Sequence, residues 1–274
     1  MSDMAGILLG FKSHLNKGNI LKYSLMASSI PLFIAFWWLL SLYLYGQNFY
    51  YLPSPSEVWN AWVVSIDRDP ATNLPLITNV FSSLTRFFSG FFLAFAIAVP
   101  LGLMIGYSGL VDAFTKPVVE LLRPIAPIAW VPFLLVSLGF FWGPVITIFI
   151  GVFFPMLSNV IFGVRSVDPL LLDVAKTQGA SRIQTFTKVY MPSSVPFVMT
   201  GVKVGVGVGW MCIVAAEFQS AKGGGVGSII VSGMNIGRPD IAFAGMLTIA
   251  ILGILTLWGS SLIERVVLKS MGMK

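Results

Sequence analysis

The stretch "SLMASSIPLFIAFWWLLSLYLYG", Ser24 to Gly46, carries no charged side chain. About 20 apolar residues in helical rise match the roughly 30 Å hydrocarbon core of a bilayer. In lipid every backbone N–H and C=O must be satisfied within the segment, so such a run is a helix or part of a closed barrel. Similar runs recur at Leu84–Tyr107, Pro117–Phe140, Gly143–Val164, Val195–Ala216 and Ile241–Ile263. Six helical spans are therefore predicted, an all-α polytopic membrane protein. With 56% hydrophobic and 10% charged residues, the chain cannot cover the surface of a soluble domain.

The formal net charge of +6 does not point to nucleic acid, because the basic residues flank apolar runs. With the N-terminus inside, one face receives Lys12, Lys17, Lys22, Lys116, Arg165, Lys176, Arg182, Lys188, Arg265, Lys269 and Lys274. The other receives Arg68, Lys222 and Arg238, while Arg86, Arg123 and Lys203 fall in or beside spans. The bias places both termini in the cytoplasm. Residues 1–23 form a cytoplasmic N-terminal segment, with 4–20 predicted as an amphipathic helix on the membrane surface; residues 24–274 form the transmembrane domain. Pro53 and Pro55 precede a short interfacial helix that Ser56 is expected to cap.

One polar segment interrupts this pattern: "DVAKTQGASRIQTFTKVYMP", Asp173 to Pro192, in a loop spanning about 166–192. Asp168-Pro169 opens a helix well, with Asp as cap and Pro at the first position. Leu171, Leu172, Val174 and Ala175 follow at helical spacing, and Gly179 and Ser181 break the helix. A second amphipathic stretch carries Ile183, Phe186 and Val189, and Pro192 marks the next membrane helix. The result is helix, turn, helix on the cytoplasmic face, either capping its own bundle or docking a soluble partner.

This segment resembles the EAA loop of ABC importer permeases: E-A-A, three residues, Gly, nine residues, I-x-L-P. Here Asp173-Val174-Ala175 stands three residues before Gly179, and nine residues later comes Val189-Tyr190-Met191-Pro192. Asp replaces Glu and Val replaces Ala; the Gly and Pro registers agree. The stretches "VFSSLTRFFSGFFLAFAIAVPLGLMIGYS", "KPVVELLRPIAPIAWVPFLLVSLGF" and "GGGVGSII" extend the similarity over about Leu76 to Glu264, to the nitrate/sulfonate/taurine/bicarbonate branch. The resemblance implies a type I (MetI-like) fold whose coupling helix inserts into an ATPase subunit. Asp173, Ala175, Gly179, Ala180 and Pro192 would be its contact positions. It also implies two ATPase copies, a second permease copy forming a homodimer, and an external solute-binding protein, in a bacterial inner membrane.

The chain itself lacks the means to use ATP. "KGGGVGS", Lys222 to Ser228, has no terminal Lys-Ser/Thr and no preceding strand, so it reads as an external turn rather than a phosphate cradle. ATP and Mg are expected on the partner, with no cofactor here. The single His14 sits in a tail and the single Cys212 in a span, so no metal cage or nucleophilic set is predicted.

Charges at membrane depth are functional suspects. Glu120 and Arg123, three apart, are expected to pair on one helix face, beside a break at Pro124 and Pro127. Lys203 lies near the small-residue face of Gly205, Gly207 and Gly209; Trp210 follows it. Glu217 closes its span at the outer mouth. Arg123, Lys203, Trp210 and Glu217 are thus pathway candidates, and the branch implies a small anionic solute. The alternative, an ion-coupled secondary transporter or channel, would show inverted repeats and mid-membrane carboxylates.

Overall fold

The computed structural model describes residues 17–48, 50–220 and 224–272. The amphipathic segment expected at 4–20 lies, up to residue 16, outside them, as do His14 and Lys222. All regular structure among the described residues is helical. The chain divides into two units, Met1–Ala61 and Trp62–Lys274.

The first unit holds α1 (Lys17–Gly46) and most of α2 (Pro55–Asp67). Ser54, rather than Ser56, caps α2. The Glu57 carboxylate accepts from Ser54 N–H at 2.7 Å while Glu57 N–H donates to Ser54 Oγ at 3.4 Å, and Pro55 takes the first helical position. Tyr45 donates its hydroxyl proton to the same Glu57, and Trp37 Nε1 donates to Pro53 O at 3.0 Å, fixing the α1–α2 corner.

The second unit contains α3 (Leu76–Tyr107), α4 (Gly109–Leu122), α5 (Pro127–Arg165), α6 (Pro169–Thr177), α7 (Arg182–Thr185), α8 (Met191–Phe218), α9 (Val226–Asn235) and α10 (Pro239–Ser270). Five helices among the described residues are long and apolar enough to cross a membrane. One of them, α5, is not a single rod. Gly139 has φ 76° and ψ −175°, an extended left-hand conformation that only glycine adopts readily. A Cβ built on Gly143 would lie 3.1 Å from Leu134 O, and one on Gly151 would lie 3.4 Å from the Pro127 ring. In a straight helix, Pro127 and Gly151 would be roughly 36 Å apart. The chain therefore reverses at Gly139, and 127–138 runs back along 140–165.

Glycine contacts give the directions. Gly90 meets Val145 and Ile148, Gly102 meets Val160, and Gly106 meets Val164, so α3 runs parallel to 140–165. Between them the chain must return, and α4 with 127–138 makes that passage. Its start is tied to the end of α5 by the Asp112–Arg165 ion pair at 2.8 Å. The predicted reversal between spans ending at Phe140 and starting at Gly143 falls at Gly139. The span expected over 117–140 carries its expected break, at 123–126, where Pro124 and Pro127 offer no N–H to Glu120 O and Arg123 O. With α1 counted, the passes among the described residues number six.

Lipid tails compete with side chains for apolar contact, so helix association rests on close packing of small residues. Gly205 and Gly209 of α8 press onto Val152 and Phe87, and Gly163 of α5 receives Phe197. The expected glycine face is thus an intrachain seam, except that Gly207 has nothing within 4 Å. Phe87, Ala94, Ala98, Ile148, Val152, Met156 and Ile213 fill the core between α3, 140–165 and α8.

Candidate functional site

The polar segment forms the helix–turn–helix that its residues predict. Leu170 N–H donates to Asp168 Oδ1 at 2.9 Å, starting α6 with Pro169 at its first position. The helix ends in a Schellman motif: Ala180 N–H donates to Ala175 O at 3.0 Å and Gly179 N–H to Lys176 O at 2.9 Å. Gly179 carries φ +72° there, and nothing lies within 4 Å of a Cβ placed on it. The glycine answers a backbone demand, with open space outside.

A capping box restarts the chain, Ser181 N–H donating to Gln184 Oε1 at 2.8 Å and Gln184 N–H to Ser181 Oγ at 3.3 Å. Phe186–Tyr190 then widens into a π-helical turn that leads into α8. Pro192 supplies the cause: it has no N–H for Lys188 O, and its ring needs the room that the wider turn gives. Tyr107, at the end of α3, packs edge-on against Phe186 at 5.0 Å and Tyr190 at 5.2 Å between ring centroids.

On α6 the apolar side chains point outward. Leu170, Leu171 and Val174 are 67, 48 and 45% exposed, and Ile183 is 76% exposed. Asp173 is exposed and pairs only locally, with Lys176 at 3.2 Å. Apolar residues left exposed together on a polar segment mark a surface that contacts protein or membrane.

The four membrane-depth candidates part company. Trp210 is buried, stacks on Phe87 at 4.9 Å and donates its indole N–H to Thr256 Oγ1 at 2.9 Å, which is a packing arrangement. Lys203 of α8 is ion-paired with Glu264 of α10. Glu217 is 1% exposed, so its carboxylate faces inward rather than toward an external partner. It accepts from Arg86 Nη1, Ser83 Oγ and Gly227 N, each at 2.9 Å, the last capping the start of α9. Arg86 Nη1 also donates to Gly224 O, Asn79 Oδ1 accepts from Gly225 N–H, and Ser83 Oγ accepts from Val226 N–H.

Arg123 differs. The expected pair with Glu120 does not form: Glu120 faces Lys116 at 3.9 Å, and Arg123, still helical at the end of α4, turns elsewhere. Arg123 instead lines a cavity of about 390 Å³ with Pro127, Phe154, Ser158 and Asn159. Sequence reasoning missed Arg86, set aside as a residue inside a span. The signal was present: an Arg and a Glu, each at the outer end of an apolar run, need one another.

Comparison with known proteins bears on all of this. Residues 98–269 match the family described as binding-protein-dependent transport system inner membrane component. A Methanocaldococcus jannaschii chain named as an ABC transporter permease is 38% identical over 89% of this chain and 90% of its own length. The taurine transport system permease protein TauC of Escherichia coli is 29% identical over 88% of each chain. A nitrate import permease protein, NrtB of Leptolyngbya laminosa, is 30% identical over 83% of each. Among solved structures, an inward-facing MetNI methionine ABC transporter chain superposes with a TM-score of 0.59 at 19% identity, covering 70% of this chain and 95% of that one. With the family match running from the last part of α3 through α10, and relatives matching nearly end to end, the chain belongs to the binding-protein-dependent inner membrane components of ABC importers, in the nitrate/sulfonate/taurine branch.

Proposed function

We propose that this permease is the membrane subunit of an ATP-driven importer whose α6 seats in a groove of a separate ATPase subunit. Two permease copies form the pathway, two ATPase copies bind ATP and Mg, and an external binding protein delivers a small anionic solute. Both termini and the 166–192 loop lie in the cytoplasm. ATP-driven closure of the ATPases and docking of the binding protein each favour one permease conformation, which is what drives the switch between inward-open and outward-open. The observation that carries this reading is the outward apolar face of α6, held beside a glycine turn with open space around it.

The test is recovery of an ATPase with the tagged, detergent-solubilised chain from its native cells, read by mass spectrometry. Because a Cβ at Gly179 meets nothing within 4 Å among the described residues, a large side chain there starts into open space and would meet a docked partner. Forcing φ +72° on an ordinary L-residue adds a backbone cost of about 1–2 kcal/mol, which Asn largely escapes. Gly179→Trp therefore abolishes ATPase recovery while the chain still reaches the membrane, and Gly179→Asn retains at least half of it. Normal recovery with Gly179→Trp defeats the docking assignment.

A further inference from the structure

Three cations lie at membrane depth in the second unit, and the structure treats them unequally. Arg86 is matched to Glu217 at 2.9 Å and Lys203 to Glu264. Arg123 has no carboxylate or hydrogen-bond acceptor at its guanidinium among the described residues, and its side chain lines the cavity beside the break between α4 and α5. A charge at that depth is costly unless water or a counter-charge meets it.

The cavity sits near the middle of the membrane passage. Its wall runs from Ile150 to Asn159 on the second limb of α5. Gly151 on that wall is about 18 Å along the limb from the Gly139 reversal and about 21 Å short of Arg165, at 1.5 Å rise per residue. Arg123 is therefore held near mid-bilayer, directly before the non-helical 124–126 backbone, which membrane depth tolerates only where it is buried in protein or lines a cavity. Ser158 and Asn159 add polar atoms, each donating one hydrogen bond to its own helix backbone, to Phe154 O at 2.9 Å and Pro155 O at 2.8 Å. Those bonds fix the side chains; the Ser158 proton is spent, and the second Asn159 N–H is left as the donor for a guest. Phe154, Ile125 and Val208 supply apolar walls.

We propose that this cavity is an anion-binding station on the translocation route, taking one small monovalent oxyanion against the Arg123 guanidinium. The proposal rests on the importer reading and names the part of the chain that holds the solute. A planar guanidinium offers paired N–H donors that match two oxygens of a nitrate, carboxylate or sulfonate group. One uncompensated cation selects one negative charge. A volume of about 390 Å³ lies at the small end of ligand sites, fitting a solute of a few heavy atoms rather than a sugar chain or peptide. A single guanidinium holding the anion weakly also suits conduction, which needs binding loose enough for release.

The test uses the permease purified with its ATPase in lipid nanodiscs, without the binding protein, titrated calorimetrically with nitrate, methanesulfonate and taurine. At least one probe binds saturably in the millimolar range, and Arg123→Gln weakens that binding tenfold or more while Arg123→Lys weakens it less. Saturable binding by none of the three, or binding to Arg123→Gln within twofold of the parent, overturns the station. Recovery of the ATPase with the parent chain reports on the importer reading alone, so the two failures are separable.

Discussion

At the scale of single residues, the Arg86–Glu217 pair carries the largest stake. Both side chains are nearly fully buried, and the carboxylate oxygens meet a guanidinium, a hydroxyl and a backbone N–H. Removing one partner strands the other charge, at a cost of about 3–5 kcal/mol; removing both for apolar groups of similar volume is close to neutral. Arg86→Met should therefore lower the thermal midpoint of the detergent-solubilised protein sharply, and Arg86→Met with Glu217→Leu should recover most of the loss. The pair also holds Gly224 and the start of α9, so the single variant loosens that loop first. Faster proteolysis between α8 and α9 in Arg86→Met, absent in the double variant, would report it; equal midpoints for single and double variants would contradict a buried pair.

At the scale of elements, α3 joins two fastenings. Near its start Ser83 and Arg86 hold the α8–α9 loop, and at its end Tyr107 holds the π-helical turn that continues from α7. Each edge-to-face ring contact is worth about 0.5–1.5 kcal/mol beyond buried area. Tyr107→Ala removes two, so amide exchange across 182–190 should quicken roughly tenfold, one decade for each 1.4 kcal/mol. Tyr107→Phe should quicken exchange far less, because it keeps both ring contacts and loses only a long 3.5 Å hydrogen bond from the hydroxyl to Arg182 O. Unchanged exchange in Tyr107→Ala would mean that the aromatic cluster does not hold this turn.

What was legible in the sequence at this scale follows from range. The helix of 169–177, its glycine end and the proline entry to α8 are local events: a cap, a left-handed turn, a missing N–H. Gly179 and Pro192 state them directly. The π-helical turn before Pro192 was not read, since widening and kinking satisfy the same missing bond. Glu120 and Arg123 sit at a pairing interval on intact helix, yet Glu120 turns to Lys116 and Arg123 to the cavity, and spacing alone does not choose between such partners. The partnerships of Arg86 with Glu217 and Lys203 with Glu264 join residues far apart in the chain, and periodicity carries no information about which helices meet.

At the scale of the whole molecule, the direction of each pass through the second unit follows from one glycine. If 127–165 were a single straight pass, residue 110 before it and residue 181 after it would emerge on opposite sides of the membrane. The reversal at Gly139 puts them on one side, together with the ion pair of Asp112 and Arg165. Charge agrees: Arg165, Lys176, Arg182, Lys188, Arg265 and Lys269 gather at that end, against Arg68 and Arg238 at the other, where Arg238 is held by Asp240 at 2.6 Å. The arrangement can be read with a membrane-impermeant maleimide on oriented vesicles, in a Cys212→Ala background that removes the single native thiol. Leu110→Cys and Ser181→Cys should label only from the cytoplasmic side and Phe141→Cys only from the other, all three being exposed positions. Labelling of Leu110→Cys and Ser181→Cys from opposite sides would undo the hairpin. It would also take the 166–192 loop out of reach of the cytoplasmic ATPase that we propose, because α8 and α10 would invert with it.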